Sequence, residues 1–273
     1  MSISRKITEG AGSGSGSGTY VDDVFSTYVY DGTGNSSNNS GDGINQNIVS
    51  GIDLAGEGGM VWTKCRTANA RHSIVDTERG PTKMLSASET GAESTAVTDS
   101  TISFNSNGHT LGIDNATQRV NRKGFNFAAW TFRKAPSFFD VVTYTGTGVA
   151  REIPHNLGVE PGMVIVKSLD KTYKWIVSHR SLANLSEYLV LNDTDAKNAD
   201  ANVFGSSSDS HTADAFRLGS DSYGNQMGDE YVAYLFAHDD SDEGMIQCGS
   251  YTGTGAAGNE IDLGWEPQWV MVK

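Results

Sequence analysis

Cysteine, proline, basic charge and long apolar runs are all scarce in this chain. Its 273 residues hold two cysteines, Cys65 and Cys248. They occupy non-equivalent places, which argues for two inert thiols rather than a disulfide framework or a paired metal site. No apolar run approaches the roughly 18 residues that span a bilayer, so no membrane insertion is expected. The opening MSISRKITEG lacks the hydrophobic segment of a secretory signal, which predicts synthesis in a cytosol without export by that route. Lys and Arg number 20 against 33 Asp and Glu, a net charge of −13. A nucleic acid or an anionic membrane needs clustered cations, so neither is expected as a partner.

Reaction motifs are missing too. There is no H-E-x-x-H, G-x-S-x-G or nucleotide fingerprint, and GAGSGSGSG lacks the Lys-Ser/Thr ending of a phosphate loop. His72, Ser73 and Asp76 can be written as a hydrolytic set. Neighbours along a strand point to opposite faces, and a second copy of the segment has Lys174, Trp175 and Ser178 instead. DDSDEG at Asp239 to Gly244 resembles the start of a calcium loop, but the twelfth position is Ser250 rather than Glu. It reads as a solvated linker. No catalytic residue, cofactor or metal ligand is assigned, and the chain is not expected to be an enzyme.

What is plentiful is glycine, 32 residues against five prolines, together with Ser, Thr, Asn and Asp between short runs of Val, Ile, Tyr, Trp and Phe. That composition predicts short strands and many turns, an all-β chain. Its only helix-like window is a short turn at Ser181 to Leu191.

Repetition organises these strands. YDGTG at Tyr30 returns as YTGTG at Tyr144 and Tyr251, after 114 and 107 residues. Each copy leads to an apolar run ending in lysine: GMVWTK at Gly59, GMVIVK at Gly162 and QWVMVK at Gln268. HSIVDTERG at His72 is echoed by KWIVSHRSL at Lys174, HTLGID at His109 by FRLGSD at Phe216, and FAAWTF at Phe127 by YVAYLF at Tyr231. Landmarks recurring in one order mark a tandem duplication, and the period suits a small β-domain of about 100 residues.

The expected organisation is an attachment peptide with a flexible Gly/Ser-rich linker at 1–25, a β-sandwich at 26–135, a second at 136–240, and the start of a third, incomplete repeat at 241–273 that belongs to a longer polypeptide or is completed by another chain. Short links predict beads in series, a semi-rigid rod. Polar loops such as the tract at Asn35 to Gly43 offer groups for sugars, with Trp62, Trp130 or Trp175 as a stacking platform. Trp62 and Trp130, flanked by apolar residues, read as core. Trp175 remains the candidate for glycan stacking.

The opening MSISRKITEG, then TYVDDVFSTYVY, then repeats of Y-x-G-x-G, G-x-V-x-x-K, D-x-x-R-G, F-x-S-x-G-x-x-L-G and a closing aromatic run resemble the repeated β-domains of virion proteins of short-tailed, T7-like marine phages, particularly tail fibres. The second copy departs from the pattern, with SHRSL for D-x-x-R-G. The resemblance implies tandem jelly-roll or lectin-like sandwiches in an elongated homotrimer of the virion tail. Its N-terminal region would attach to tail adaptor or nozzle proteins, and its distal part would meet a host-surface glycan or protein. Carried onto this chain, attachment falls on Ile3, Arg5, Lys6, Ile7, Tyr20, Val21, Val24 and Phe25. The alternative is a carbohydrate-binding or capsid-decorating adhesion module. A polysaccharide depolymerase is a third class, for which no carboxylate pair stands out among the acidic residues.

Overall fold

The computed structural model describes the backbone of residues 6–7 and all of 19–36, 41–95, 100–114, 120–241 and 244–273. Ile3, Arg5, the Gly/Ser tract at 10–18, residues 37–40 of the Asn/Ser tract, 96–99 of the loop after Ser88 and 242–243 of the acidic linker lie outside the described residues.

The first copy forms β1 (Phe25–Asp31), β2 (Gln46–Val49), β3 (Gly59–Cys65), β4 (His72–Asp76), β5 (Thr101–Asn105), β6 (Gly108–Leu111) and β7 (Asn126–Arg133). The second forms β8 (Phe139–Thr145), β9 (Arg151–Pro154), β10 (Met163–Ser168), β11 (Ile176–His179), β12 (Glu187–Val190), β13 (Ala215–Leu218) and β14 (Glu230–Phe236). Single-turn helices α1 (Val21–Val24) and α2 (Ser222–Asn225) complete the elements that matter below. The chain is all-β. Where a helical turn is expected after Ser181, turns lead into β12.

Strand order shows the duplication. The large sheet of the first copy runs β1-β7-β3-β4, and that of the second runs β8-β14-β10-β11 before β12 and the pair Asn198–Ala199 extend it. The small sheets repeat likewise, β2-β6 (with β5) against β9-β13. Registers agree residue by residue: Phe127 faces Tyr30 as Tyr231 faces Tyr144, and His109 faces Ile48 as Phe216 faces Ile153. One alignment needs correcting. Met60 pairs with Asp76 and Met163 with His179, so Ile74 is equivalent to Val177, not Ile176. Shared Ile-Val letters suggest the other match, but a slip of one residue would turn each side chain to the wrong face.

Each copy packs its large sheet on its small one. In the first copy Tyr30, Ile48, Val61, Leu111 and Phe127 meet in one cluster, and in the second Tyr144, Ile153, Val164, Phe216, Leu218 and Tyr231 meet in another. The opposite faces of the two large sheets are covered by each other. Met60, Trp62, Ile74 and Phe132 join Phe139, Ile165, Val177, Tyr234 and Phe236 in a third cluster. This explains why β10 is buried at all six positions: a strand covered on both faces reads as an unbroken apolar run, not as an alternation. The expectation of beads in a rod is therefore corrected, because the copies merge over a common core.

A buried polar network crosses this junction. The Arg79 guanidinium lies 2.6 Å from Asp76, bonds Glu93 at 3.1 Å and the carbonyls of Ile74 and Lys83, and donates to the Tyr234 hydroxyl at 3.2 Å. Tyr234 in turn donates to Asp76 at 2.7 Å. Arg79 and Asp76 are closed off from solvent, so losing any member leaves a charge or hydroxyl without its partner.

Candidate functional site

The recurring motif is the first place to look for chemistry, and its geometry is that of a clasp. Tyr30 stacks on Phe127 at 5.3 Å and Tyr144 on Tyr231 at 5.3 Å, and the Tyr144 hydroxyl donates to Gly224 O at 2.7 Å. Beyond each tyrosine a fully buried asparagine holds the turn. Asn225 Oδ1 accepts from Thr147 N at 2.9 Å, while its Nδ2 donates to Val149 O at 2.8 Å and Gly219 O at 2.7 Å. Asn121 does the same with Thr33 N at 2.8 Å, Gly112 O at 2.8 Å and Ile44 O at 3.1 Å. A Cβ on Gly32 would stand 2.1 Å from Arg122 O, and one on Gly146 2.1 Å from Gln226 O. Glycine is required there for close backbone approach.

These asparagines were missed at the level of sequence, although a signal exists. N-x-x-G-x-x-aromatic occurs at Asn121–Phe127 and at Asn225–Tyr231, and its glycines, Gly124 and Gly228, have φ of 86° and 82°. The closing lysines also serve the backbone. Lys64 donates to Ala70 O, and Lys167 to Ser168 O at 2.8 Å and Lys171 O at 3.0 Å, with burial pulling Lys167 down to about 8. Each caps the carbonyls of the hairpin that follows its strand.

Of the residues expected to attach to a tail, Lys6 and Ile7 pair in antiparallel fashion with Tyr20 and Thr19. Tyr20 is 40% exposed, and Val21 packs partly on the shared core. Val24 and Phe25 are a correction: both are buried in that core, Phe25 at 4.9 Å from Phe132, and present no surface to a partner. Trp175 is corrected likewise. It is fully buried, and its Nε1 donates across the junction to Ser86 O and Glu89 O, each at 3.0 Å, so no ring face is open to a sugar. Trp62 is core, with Nε1 donating to His72 Nδ1 at 2.9 Å. That bond occupies His72, while Asp76 is held by Arg79 and Tyr234, so the pair forms no hydrolytic set. Cys65 and Cys248 are both buried free thiols.

A polar cleft of about 470 Å³ lies beside β11, lined by Ser178, His179, Arg180, Asp209, His211 and His238 among others. Its imidazoles share one tautomer. Nδ1 accepts a main-chain N–H in His179 (from Ser181), His211 (from Arg217) and His238 (from Cys248), leaving the proton on Nε2. Burial lowers all three rings from the ordinary range, with Arg180 adding to the effect on His179 and His238. His211 therefore donates to Ser178 Oγ at 3.0 Å rather than taking its proton, the wrong polarity for a nucleophile and base. Among the described residues the Arg180 guanidinium makes no hydrogen bond or ion pair. The cleft offers N–H donors beside the carboxylate of Asp209, a set suited to hydroxyl-bearing ligands.

A family model described as a domain of unknown function (DUF7483) matches residues 21–273. The chain belongs to this family. The DUF7483 match begins at α1 and runs through both copies and the C-terminal segment, so the family unit takes in the merged body rather than one copy. No curated protein and no solved structure matches the chain.

Proposed function

We propose that this DUF7483 chain is a virion structural protein, a phage tail fibre whose N-terminal region anchors to tail adaptor or nozzle proteins and whose β-body leads toward a distal receptor-binding part. The observation that carries the reading is that the residues of the repeated motif are consumed by architecture. Tyrosines stack, asparagines and lysines bind main-chain groups, glycines admit backbone, and the Asp-Arg pair ties two copies together. A motif spent on holding shape fits a building element, and the resemblance to tail fibres supplies the setting, including a homotrimer. In this reading the one merged pair of copies serves as a node of the shaft.

Electron microscopy of particles labelled at the N-terminus tests this. Label at the tail is the expected result, and label on the capsid alone, or a chain that stays monomeric by light scattering beside tail proteins, would overturn it. The cleft beside β11 favours one second reading, a carbohydrate-binding adhesion module. Glycan binding lost in Arg180→Ala, with virion attachment unaffected by removal of residues 1–18, would favour that reading.

A further inference from the structure

The duplication supplies an internal comparison for the cleft beside β11. Met60 pairs with Asp76 and Met163 with His179, so the residues after β4 and β11 correspond in order, Thr77 to Arg180 and Glu78 to Ser181. Main-chain bonds agree: Thr77 N donates to Gly59 O at 3.0 Å, and Arg180 N to Gly162 O at 2.9 Å. Phe132 and Phe236 face those same methionines, which makes Lys134 the counterpart of His238. In the first copy carboxylates close this corner. The Lys134 ammonium bonds Glu78 at 2.7 Å and lies 3.4 Å from Asp140.

The second copy has donors at these positions and neither carboxylate. Ser181 stands where Glu78 does. Asp140 precedes Tyr144 by four residues, and the residue four before Tyr251 is Gln247. This segment runs past the corner, since Cys248 N donates to His238 Nδ1 at 3.1 Å. Nε2 of His238 is buried without a hydrogen-bond partner among the described residues, with Asp240 3.9 Å away and itself exposed. The Ser178 hydroxyl accepts from His211 and keeps its own proton to donate. Arg180 is exposed at the mouth, its guanidinium unpaired among the described residues. Asp209 is engaged elsewhere: its Oδ2 accepts from Ser206 N and Oγ, each at 2.7 Å, and its Oδ1 lies 3.5 Å from Arg217 Nε. Glu160, on the rim, is exposed to solvent.

We propose that this cleft binds an acidic saccharide, whose carboxylate takes the place beside Arg180 and His238 that Glu78 and Asp140 take beside Lys134. A guanidinium meets a carboxylate through two parallel N–H bonds, and Glu160 offers an acceptor to the ring hydroxyls. The inference rests on the carbohydrate-binding reading and names its ligand class.

The probe is a panel of uronic and ulosonic oligosaccharides, each beside its methyl ester, titrated into the full chain by calorimetry. Saturable binding of an acidic member is expected, weakened at least about tenfold by esterification, the loss of a charge-assisted hydrogen bond. Arg180→Ala should weaken it as much. Ser181→Glu, which rebuilds the first copy's carboxylate on an exposed site, should do the same without lowering the unfolding midpoint. Equal binding of acid and ester would overturn the proposal and leave the carbohydrate reading standing. No binding of acid or ester at about millimolar ligand would overturn both. Acetate displacing the saccharide at equal concentration would also overturn the proposal, by assigning the site to simple carboxylates.

Discussion

Replacing His109 by phenylalanine is the sharpest test of the duplication as an energetic statement. His109 sits in β6, fully buried, and neither ring nitrogen has a hydrogen-bond partner among the described residues. Its equivalent in the second copy is Phe216, also fully buried. Burial alone pulls the imidazole down to about 3, against about 6.5 in an unfolded chain. The folded value is the lower one, so the unfolded state binds more protons across that interval. Stability is then complete above about pH 6.5 and drains away as pH falls toward 3. Linkage between these two values removes about 2 kcal/mol from pH 7 to pH 5 and about 3 kcal/mol by pH 4. His109→Phe abolishes that loss, and at pH 7 removal of an unpaired imidazole is neutral or stabilising. His109→Leu serves as a second variant should the larger ring crowd its neighbours. Denaturant unfolding at pH 7 and pH 5 measures the effect. The variants should gain about 2 kcal/mol on the parent at pH 5 relative to pH 7; a gap that does not change with pH refutes the reasoning.

Other consequences follow from the clasp and the junction. Asn225→Ala strips partners from Thr147 N, Val149 O and Gly219 O, which should cost about 3 kcal/mol or more by denaturant unfolding. Gly146→Ala drives a Cβ to 2.1 Å from Gln226 O and should lower the melting temperature strongly, while Gly91→Ala, with nothing within 4 Å, should leave it nearly unchanged. Tyr234→Phe removes one bond each from Asp76 and Arg79 and should cost about 1–3 kcal/mol, seen as an earlier unfolding midpoint.

The tandem repeat, its strand types and its period were legible because landmark letters recur with fixed spacing. The partner of those landmarks was not. Asn121 lies in a loop and Asn225 ends the single-turn helix α2, in segments whose other letters diverge, and a buried asparagine looks like any polar surface residue until its acceptors are in place. The merged core was half-written in GMVIVK, where apolar residues at each position call for cover on both faces. Nothing in the letters says that the second cover is the sibling copy. Trp175 illustrates the same limit: it lies just beyond a polar stretch, and only the fold brings Ser86 O and Glu89 O to its Nε1. Val24 and Phe25 adjoin a segment that looked like an anchor, yet α1 tips them into the shared core.

Native-state hydrogen exchange of Phe132→Ala tests the central claim, that two copies form one cooperative body on a common core. Phe132 belongs to the first copy but contacts Phe139 and Phe236 of the second, each at 5.5 Å. Truncation should cost about 3–5 kcal/mol, and amides of β10 and β14 should lose as much protection as those of β3 and β7. Protection lost in the first copy while β10 and β14 keep theirs would contradict the claim.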